Sequence, residues 1–308
     1  MLSRTASHLY WMARYLERAA NLSRLLDVCF TLSLLNNKSG QAVIELSAPL
    51  VTTGSMPQFL EKYPAVTQAA LLDFLVWDQE NPVSIMACLK YARENAHAVR
   101  GRISADMWET INATWLEAKK LSSQKSIAPK YFFEWVKERI HLFSGVMMAT
   151  ILRNQAHAFI LLGNFLERAD NTARILMVNA PLLEEGSEVT QDFYHWSSLL
   201  QSLSAFQSYH ELYTEEITPA TVSELLILEK DMPRSLHACV RVMQSTFNQI
   251  KGDNGRKAKR RVAELSVKLS HTTIQEIFET GLQTWLDDFV TDTQEVGALI
   301  HNAYLDSV

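Results

Sequence analysis

The chain has 308 residues, of which 47% are hydrophobic and 20% charged, with a net charge of −5. That length suggests about two ordinary domains with enough apolar material for buried cores. The acidic balance argues against nucleic acid as a partner, because domains that bind phosphate backbones concentrate Lys and Arg.

Only 8 prolines and 10 glycines interrupt a chain rich in Leu, Ala, Glu, Lys and Arg, which predicts an all-α fold. The opening stretch MLSRTASHLYWMARYLERA carries Arg4, Arg14, Glu17 and Arg18 and has neither the apolar core nor the small-residue cleavage site of a leader peptide. A cytoplasmic location is therefore expected. The first helix is predicted from Thr5 to Leu35, a rod of roughly 45 Å, with Ser3 or Thr5 as N-cap and NNKSG (36–40) as its stop. Its most apolar part, LLDVCFTLSLL (25–35), is interrupted by Asp27 and falls short of the roughly 20 residues a membrane span needs, so no membrane partner is expected.

Residues 40–63 contain Pro49, Gly54 and Pro57 and read as a loop. Pro82 suits the first turn of a helix, where a missing N–H costs nothing. YARENAHAVRGRI (91–103) reads as a charged helix with Arg93, Glu94, His97 and Arg100 at i, i+1, i+4 and i+7, and with Asn95 and Arg102 nearby. GRISADMW (101–108) and SQKSIAPKYFFEW (123–135) read as helix junctions. In the second half, 190–213 carries Trp196, Leu199, Leu200, Leu203, Phe206 and Tyr209 at helical spacing and predicts one long helix. TPATVSELLIL (218–228) predicts a helix capped by Thr218 with Pro219 in its first turn. Pro233 repeats the signal of Pro82. Arg234 would then lie where the helix dipole disfavours a cation, which makes it a candidate for binding or pairing. KGDNGRKAKRR (251–261) reads as a solvated loop and helix start. Cys29, Cys88 and Cys239 are far apart in apolar surroundings and read as reduced core residues.

These elements are written twice. With a shift of 150, Leu16, Glu17, Arg18, Ala19, Asn21, Arg24, Leu26 and Val28 match Leu166, Glu167, Arg168, Ala169, Asn171, Arg174, Leu176 and Val178. With a shift of 151, Pro82, Ser84, Ala87 and Cys88 match Pro233, Ser235, Ala238 and Cys239, and Trp135 falls on Trp285 at 150. The expected architecture is an internally duplicated multi-helix bundle. Its repeats would be 1–150 and 151–308, packed as one compact unit, with two long helices related by a pseudo-twofold.

At 100° per residue, Arg14, Glu17, Arg18, Asn21 and Arg24 share one helix face about 120° wide. Glu167, Arg168, Asn171 and Arg174 share the equivalent face, with Asp170 at its edge. Three readings stay open: a solvated face of weak i,i+4 pairs, a buried or interfacial network, and a ligand site. Apolar positions drifted between the copies (Trp11 against Leu161, Leu25 against Ile175) while the polar types did not. Exposed pairs, at about 0–1 kcal/mol each, would not hold residue types so firmly. Buried pairs would, because losing one partner costs about 3–5 kcal/mol. The stripes are therefore expected to turn inward, and Arg93, Glu94, Asn95, Arg100 and Arg234 are candidates to join them.

No G-x-S-x-G elbow, P-loop or G-x-G-x-x-G is present, and no cofactor is implied. Glu94-Asn-Ala-His97 and Glu138-Arg-Ile-His141 are both E-x-x-H, so the enzymatic alternative is a helical-bundle metal-carboxylate protein.

LYWMARYLERAANLSRLL, ARENAHAVRGRISADMWETIN, FILLGNFLERADNTARIL and SLSAFQSYHELY followed by DMPRS resemble, from end to end, the bacterial alpha-E domain family, all-helical and named for its ER motif. The family often has a Gly-Arg pair where this chain has Ala13-Arg14 and Gly163-Asn164, and a basic residue at His97. The resemblance brings no established catalytic role; it implies a helical accessory protein that acts with a circularly permuted ATP-grasp ligase in forming or trimming amide-linked peptides. Its ER arginines would hold an acidic peptide, an acyl-phosphate or the edge of the partner's active site.

Overall fold

A computed structural model describes residues 1–35, 39–123, 127–185, 189–214 and 216–306. These residues form fifteen α-helices and contain no strand, as the composition predicts. The chain divides into two compact units, Met1–Asn164 and Phe165–Val308.

The first unit contains α1 (Ser3–Leu35), α2 (Ser39–Thr52), α3 (Met56–Lys62), α4 (Gln68–Leu71), α5 (Ile85–Ala98), α6 (Ala105–Ser122) and α7 (Pro129–Thr150). A π-helical turn, Leu72–Trp77, follows α4. The unit also takes the start of α8 (Gln155–Glu185), which runs on into the second. Within the unit, α1 packs on α5, α2 and α7, while α6 packs on α5 and α7. From Ala19 to Leu26 every residue of α1 is buried, which leaves no solvated side for its polar residues. Ser23 meets this by donating its hydroxyl to the Ala19 carbonyl at 2.8 Å.

The second unit contains the rest of α8, then α9 (Val189–Ser202), α10 (Phe206–Leu212), α11 (Pro219–Ile227), α12 (Leu236–Phe247), α13 (Arg256–His271), α14 (Ile274–Thr280) and α15 (Leu282–Ile300). Here α12 packs on α13, α13 on α15, and α11 on α9, α12 and α14. Its core includes Trp196, Tyr209, Val262, Leu286 and Phe289.

Several helix boundaries differ from those expected from the sequence. Residues 40–63 are two helices, not a loop: α2 carries Pro49 in its interior, and Gly54 and Pro57 mark only the short break before α3. Residues 190–213 are broken at the corresponding place, where Ser204 takes φ 54°. In both breaks a left-handed residue lets the next N–H reach back five residues, Ser55 to the Leu50 carbonyl (2.9 Å) and Ala205 to that of Leu200 (2.7 Å), which satisfies the last helical carbonyls.

Pro82 and Pro233 are also not in first helical turns. They precede Ser84 and Ser235, which are the N-caps of α5 and α12 and accept from Ala87 N (3.1 Å) and Ala238 N (2.9 Å). Arg234 therefore stands one residue before the N-cap and not in the first helical turn expected for it. By contrast, Thr218 caps α11 in a capping box with Thr221, and Pro219 opens the helix as the sequence predicts. Of the expected stop NNKSG, 36–38 lie outside the described residues and Ser39 opens α2. Cys29, Cys88 and Cys239 are buried thiols that form no disulfide. The basic run near 256 is a solvated helix start whose Arg256, Arg260 and Arg261 pair with Asp253, Glu264 and Glu295. No helix among the described residues is long and apolar enough to cross a membrane.

Candidate functional site

The ER stripe of α1 lies on the part of the helix that packing surrounds. Glu17 is 2% exposed, Asn21 3% and Arg24 4%, and on α8 Glu167 is 5% exposed. Such burial requires partners, since an isolated carboxylate in a dry site would be too costly to remain ionised. In the first unit those partners are present. Arg24 Nη2 stands 3.8 Å from Glu17 Oε1 and also donates to Asn21 Oδ1. Asn164 Nδ2, on α8, donates to Glu17 Oε2 at 3.1 Å. Both carboxylate oxygens are thereby engaged, one by a charge and one by an amide.

The approach of α8 to α1 here depends on Gly163. A Cβ at that position would sit 2.3 Å from the Tyr10 carbonyl oxygen, so only glycine lets the helices come close enough for Asn164 to reach Glu17.

Half-buried arginines flank this network on aromatic rings. Arg14 donates to the Tyr10 hydroxyl at 3.1 Å and lies 5.2 Å from the Trp11 ring centre. Arg18 lies 5.7 Å from the ring of Tyr15, which packs on Trp11 (5.8 Å) and on Tyr91 of α5 (5.2 Å). Burial pushes the Tyr15 hydroxyl above its ordinary pKa, the Arg18 charge opposing, so the phenol stays neutral beside the guanidinium. Further along α5, Arg93 stacks on Trp108 (5.6 Å) and donates to Asn112 at 2.9 Å, and Asn95 bonds His8 at 2.8 Å. Glu94 and Arg100 are exposed and enter none of these contacts.

In the second unit the same residue types pair differently. Arg174 Nε donates to Asp170 Oδ2 at 2.8 Å, one turn back on α8. Arg168 lies 4.8 Å from the Phe165 ring and donates to the Pro233 carbonyl at 3.4 Å. The Thr172 hydroxyl donates to the Arg234 carbonyl at 3.0 Å, so Arg234 touches the ER helix through its backbone. Asn171 is half-buried.

Among the expected residues, the structure joins Glu17, Asn21 and Arg24 in one cluster and Asp170 and Arg174 in another, and places Arg14, Arg18, Arg93 and Arg168 on aromatic rings. The sequence reading did not select Asn164, Thr172 or the aromatic ladder Tyr10, Trp11, Tyr15 and Tyr91. The ladder had a signal: Tyr10 with Arg14 and Trp11 with Tyr15 stand at i,i+4, where helical side chains meet. Asn164 had a weaker one, as the polar residue that the repeat aligns with Arg14. The E-x-x-H residues Glu94, His97, Glu138 and His141 are all exposed. Among the described residues no three His, Cys, Asp or Glu stand close enough to share a metal ion.

A family model described as a predicted alpha-helical domain with a conserved ER motif matches residues 1–305. The chain is 22% identical, over 323 aligned positions, to proteins of Mycobacterium bovis and Mycobacterium tuberculosis described only as uncharacterized. The alignment covers 98% of this chain and 36% of each relative, so the chain spans about a third of their length. No solved structure matches the chain.

Proposed function

The chain belongs to the Alpha-E family, and from that premise we propose that it is a helical accessory protein that works beside a circularly permuted ATP-grasp ligase in forming or modifying amide-linked peptides. The observation that carries this reading is the buried carboxylate Glu17, locked by Arg24 and Asn164 and ringed by arginines held on aromatic faces. A carboxylate whose two oxygens are already engaged is poorly placed to move protons. It is well placed to hold a rigid framework on which Arg14 and Arg18 present positive charge to a carboxylate or an acyl-phosphate.

In this reading the chain is two diverged copies, 1–150 and 151–308, with the repeat boundary falling before that of the compact units. Helices α2 and α9 end 150 residues apart, as do α3 and α10, and the caps Ser84 and Ser235 stand 151 apart. The reading also places the chain in the cytoplasm, consistent with its three cysteines, which form no disulfide.

The test is co-expression with a circularly permuted ATP-grasp protein, followed by an assay for ATP-dependent amide formation with and without this chain. Stable co-purification and a several-fold gain in amide product are expected. A ligase that neither binds the chain nor changes its rate would overturn the proposal.

A further inference from the structure

In the second unit a cleft of about 580 Å³ runs along α12, with Phe165 of α8 and Val242 on its apolar floor. That volume lies in the range of small-ligand clefts, roughly 300–1,000 Å³. Lys230, Arg241, Gln244 and Asn248 also line it. Arg168, stacked on Phe165 and bonded to the Pro233 carbonyl, brings a third cation to the edge. The chain as a whole is acidic, so three cations at one cleft stand against its average.

One carboxylate is present, Asp231, and it is exposed and reaches Arg241 only at 3.8 Å. Arg241 is held in place by donating to the Lys230 carbonyl at 3.2 Å. Gln244 accepts from Ser266 at 2.9 Å through Oε1, which leaves its amide N–H groups as donors.

The first unit shows what closes such a cleft. With the repeat shifts, Phe165 aligns with Tyr15 and Val242 with Tyr91, and in the first unit those two rings pack on each other at 5.2 Å. Val242 is too short to reach across, so the second unit keeps open a space that Tyr91 fills in the first.

We propose that this cleft binds a short acidic peptide, with an apolar side chain on Phe165 and Val242 and flanking carboxylates on Lys230 and Arg241. Charge complementarity selects the acid: flexible Lys and forked Arg groups at the rim suit separate carboxylates, and the amides of Gln244 and Asn248 suit a peptide backbone. The inference rests on reading the chain as a binding protein, and it gives that reading a place and a ligand class.

The experiment titrates the full chain with two labelled tetrapeptides, Glu-Leu-Glu-Glu and its isosteric Gln-Leu-Gln-Gln, by fluorescence anisotropy at low and high salt. The acidic peptide is expected to bind about tenfold tighter or more, with the difference shrinking as salt screens the charges. Val242→Tyr, which rebuilds the first unit's closure, should weaken binding by about tenfold with little change in melting temperature. Lys230→Glu lies in an exposed turn and decides the matter should the tyrosine variant not fold; it should lower acidic-peptide binding and leave the neutral peptide unchanged. Equal binding of the two peptides, or full binding by the Lys230 variant, overturns the proposal. The assay contains no ligase, so a chain that binds the peptide but not the ligase sinks only the partnership, and the reverse result sinks only the cleft.

Discussion

The ER helices α1 and α8 carry Glu, Arg, Asn and Arg at one spacing, yet the arginine seven residues after the glutamate pairs differently in each. On α1, Arg24 turns to Glu17 and Asn21. On α8, Arg174 closes on Asp170. The residue aligned with Asp170 is the buried Ala20, so the pair that Arg174 makes with Asp170 has no counterpart on α1. The comparison teaches that a repeated motif preserves an inventory of charges more faithfully than a set of bonds. A carboxylate one turn from an arginine gives it a partner on its own helix, since i,i+4 side chains meet without any tertiary movement.

The largest expected effect tests whether the α1 network is as dry as it looks. Glu17→Ala leaves Arg24 buried without its carboxylate and should cost about 3–5 kcal/mol in thermal or denaturant unfolding. Glu167→Ala, buried to a similar degree, is expected in the same range. A loss under about 1 kcal/mol for Glu17→Ala would mean that the pair behaves as a surface pair, and the contrast with Asp170–Arg174 would collapse. Next in size is Gly163→Ala, whose Cβ would strike the Tyr10 carbonyl. Forcing the two backbones apart should cost about 3 kcal/mol. The aligned Ala13→Gly change meets no such contact and should cost only about 1 kcal/mol, the usual penalty of glycine inside a helix. Differential scanning fluorimetry on the pair gives the ratio directly.

Much of this was legible in the sequence, and the residues say why. Repetition marked the stripe that holds the buried Glu17, Asn21, Arg24 and Glu167, but Arg18, Arg168, Asn171 and Arg174 repeat as firmly and are half-buried, so it did not say which residues are dry. Thr218-Pro219 announced a helix start, because cap and proline agree on one position. Pro82 and Pro233 misled because two start signals compete there: a proline suits a first turn, but a serine two residues later caps the helix, and only Ser84 and Ser235 make the bond. Pro49 misled in the opposite sense, since a helix interior carries it at the cost of one backbone hydrogen bond. Asn164 could not be selected as a partner of Glu17, because 147 residues separate them and the link exists only after α8 packs on α1.

The Asp170 contrast has its own, smaller test. Asp170 and Arg174 are partly exposed, so Asp170→Ala should cost only about 0.5 kcal/mol, within the range of helix-surface pairs, and added salt should shrink it further. A cost as large as that of Glu17→Ala would mean that Asp170 has taken over the structural role that Glu17 holds on α1, and the two stripes would then differ in kind.

The smallest effect concerns the paired breaks after α2 and α9, where Gly54 takes φ 65° and Ser204 φ 54°. Both sites are exposed, and a Cβ built on Gly54 meets nothing within 4 Å, so side-chain contacts cannot obscure the backbone term. A left-handed residue other than glycine costs about 1 kcal/mol through its Cβ. Glycine gives back part of that gain through the greater freedom of its unfolded chain. Ser204→Gly should therefore stabilise by about 0.5 kcal/mol and Gly54→Ser should destabilise by a like amount, as read by the midpoint of urea unfolding. Equal and opposite shifts would show that the two breaks are one backbone solution written with different residues. Shifts of the same sign would show that one of the breaks depends on its side chain after all.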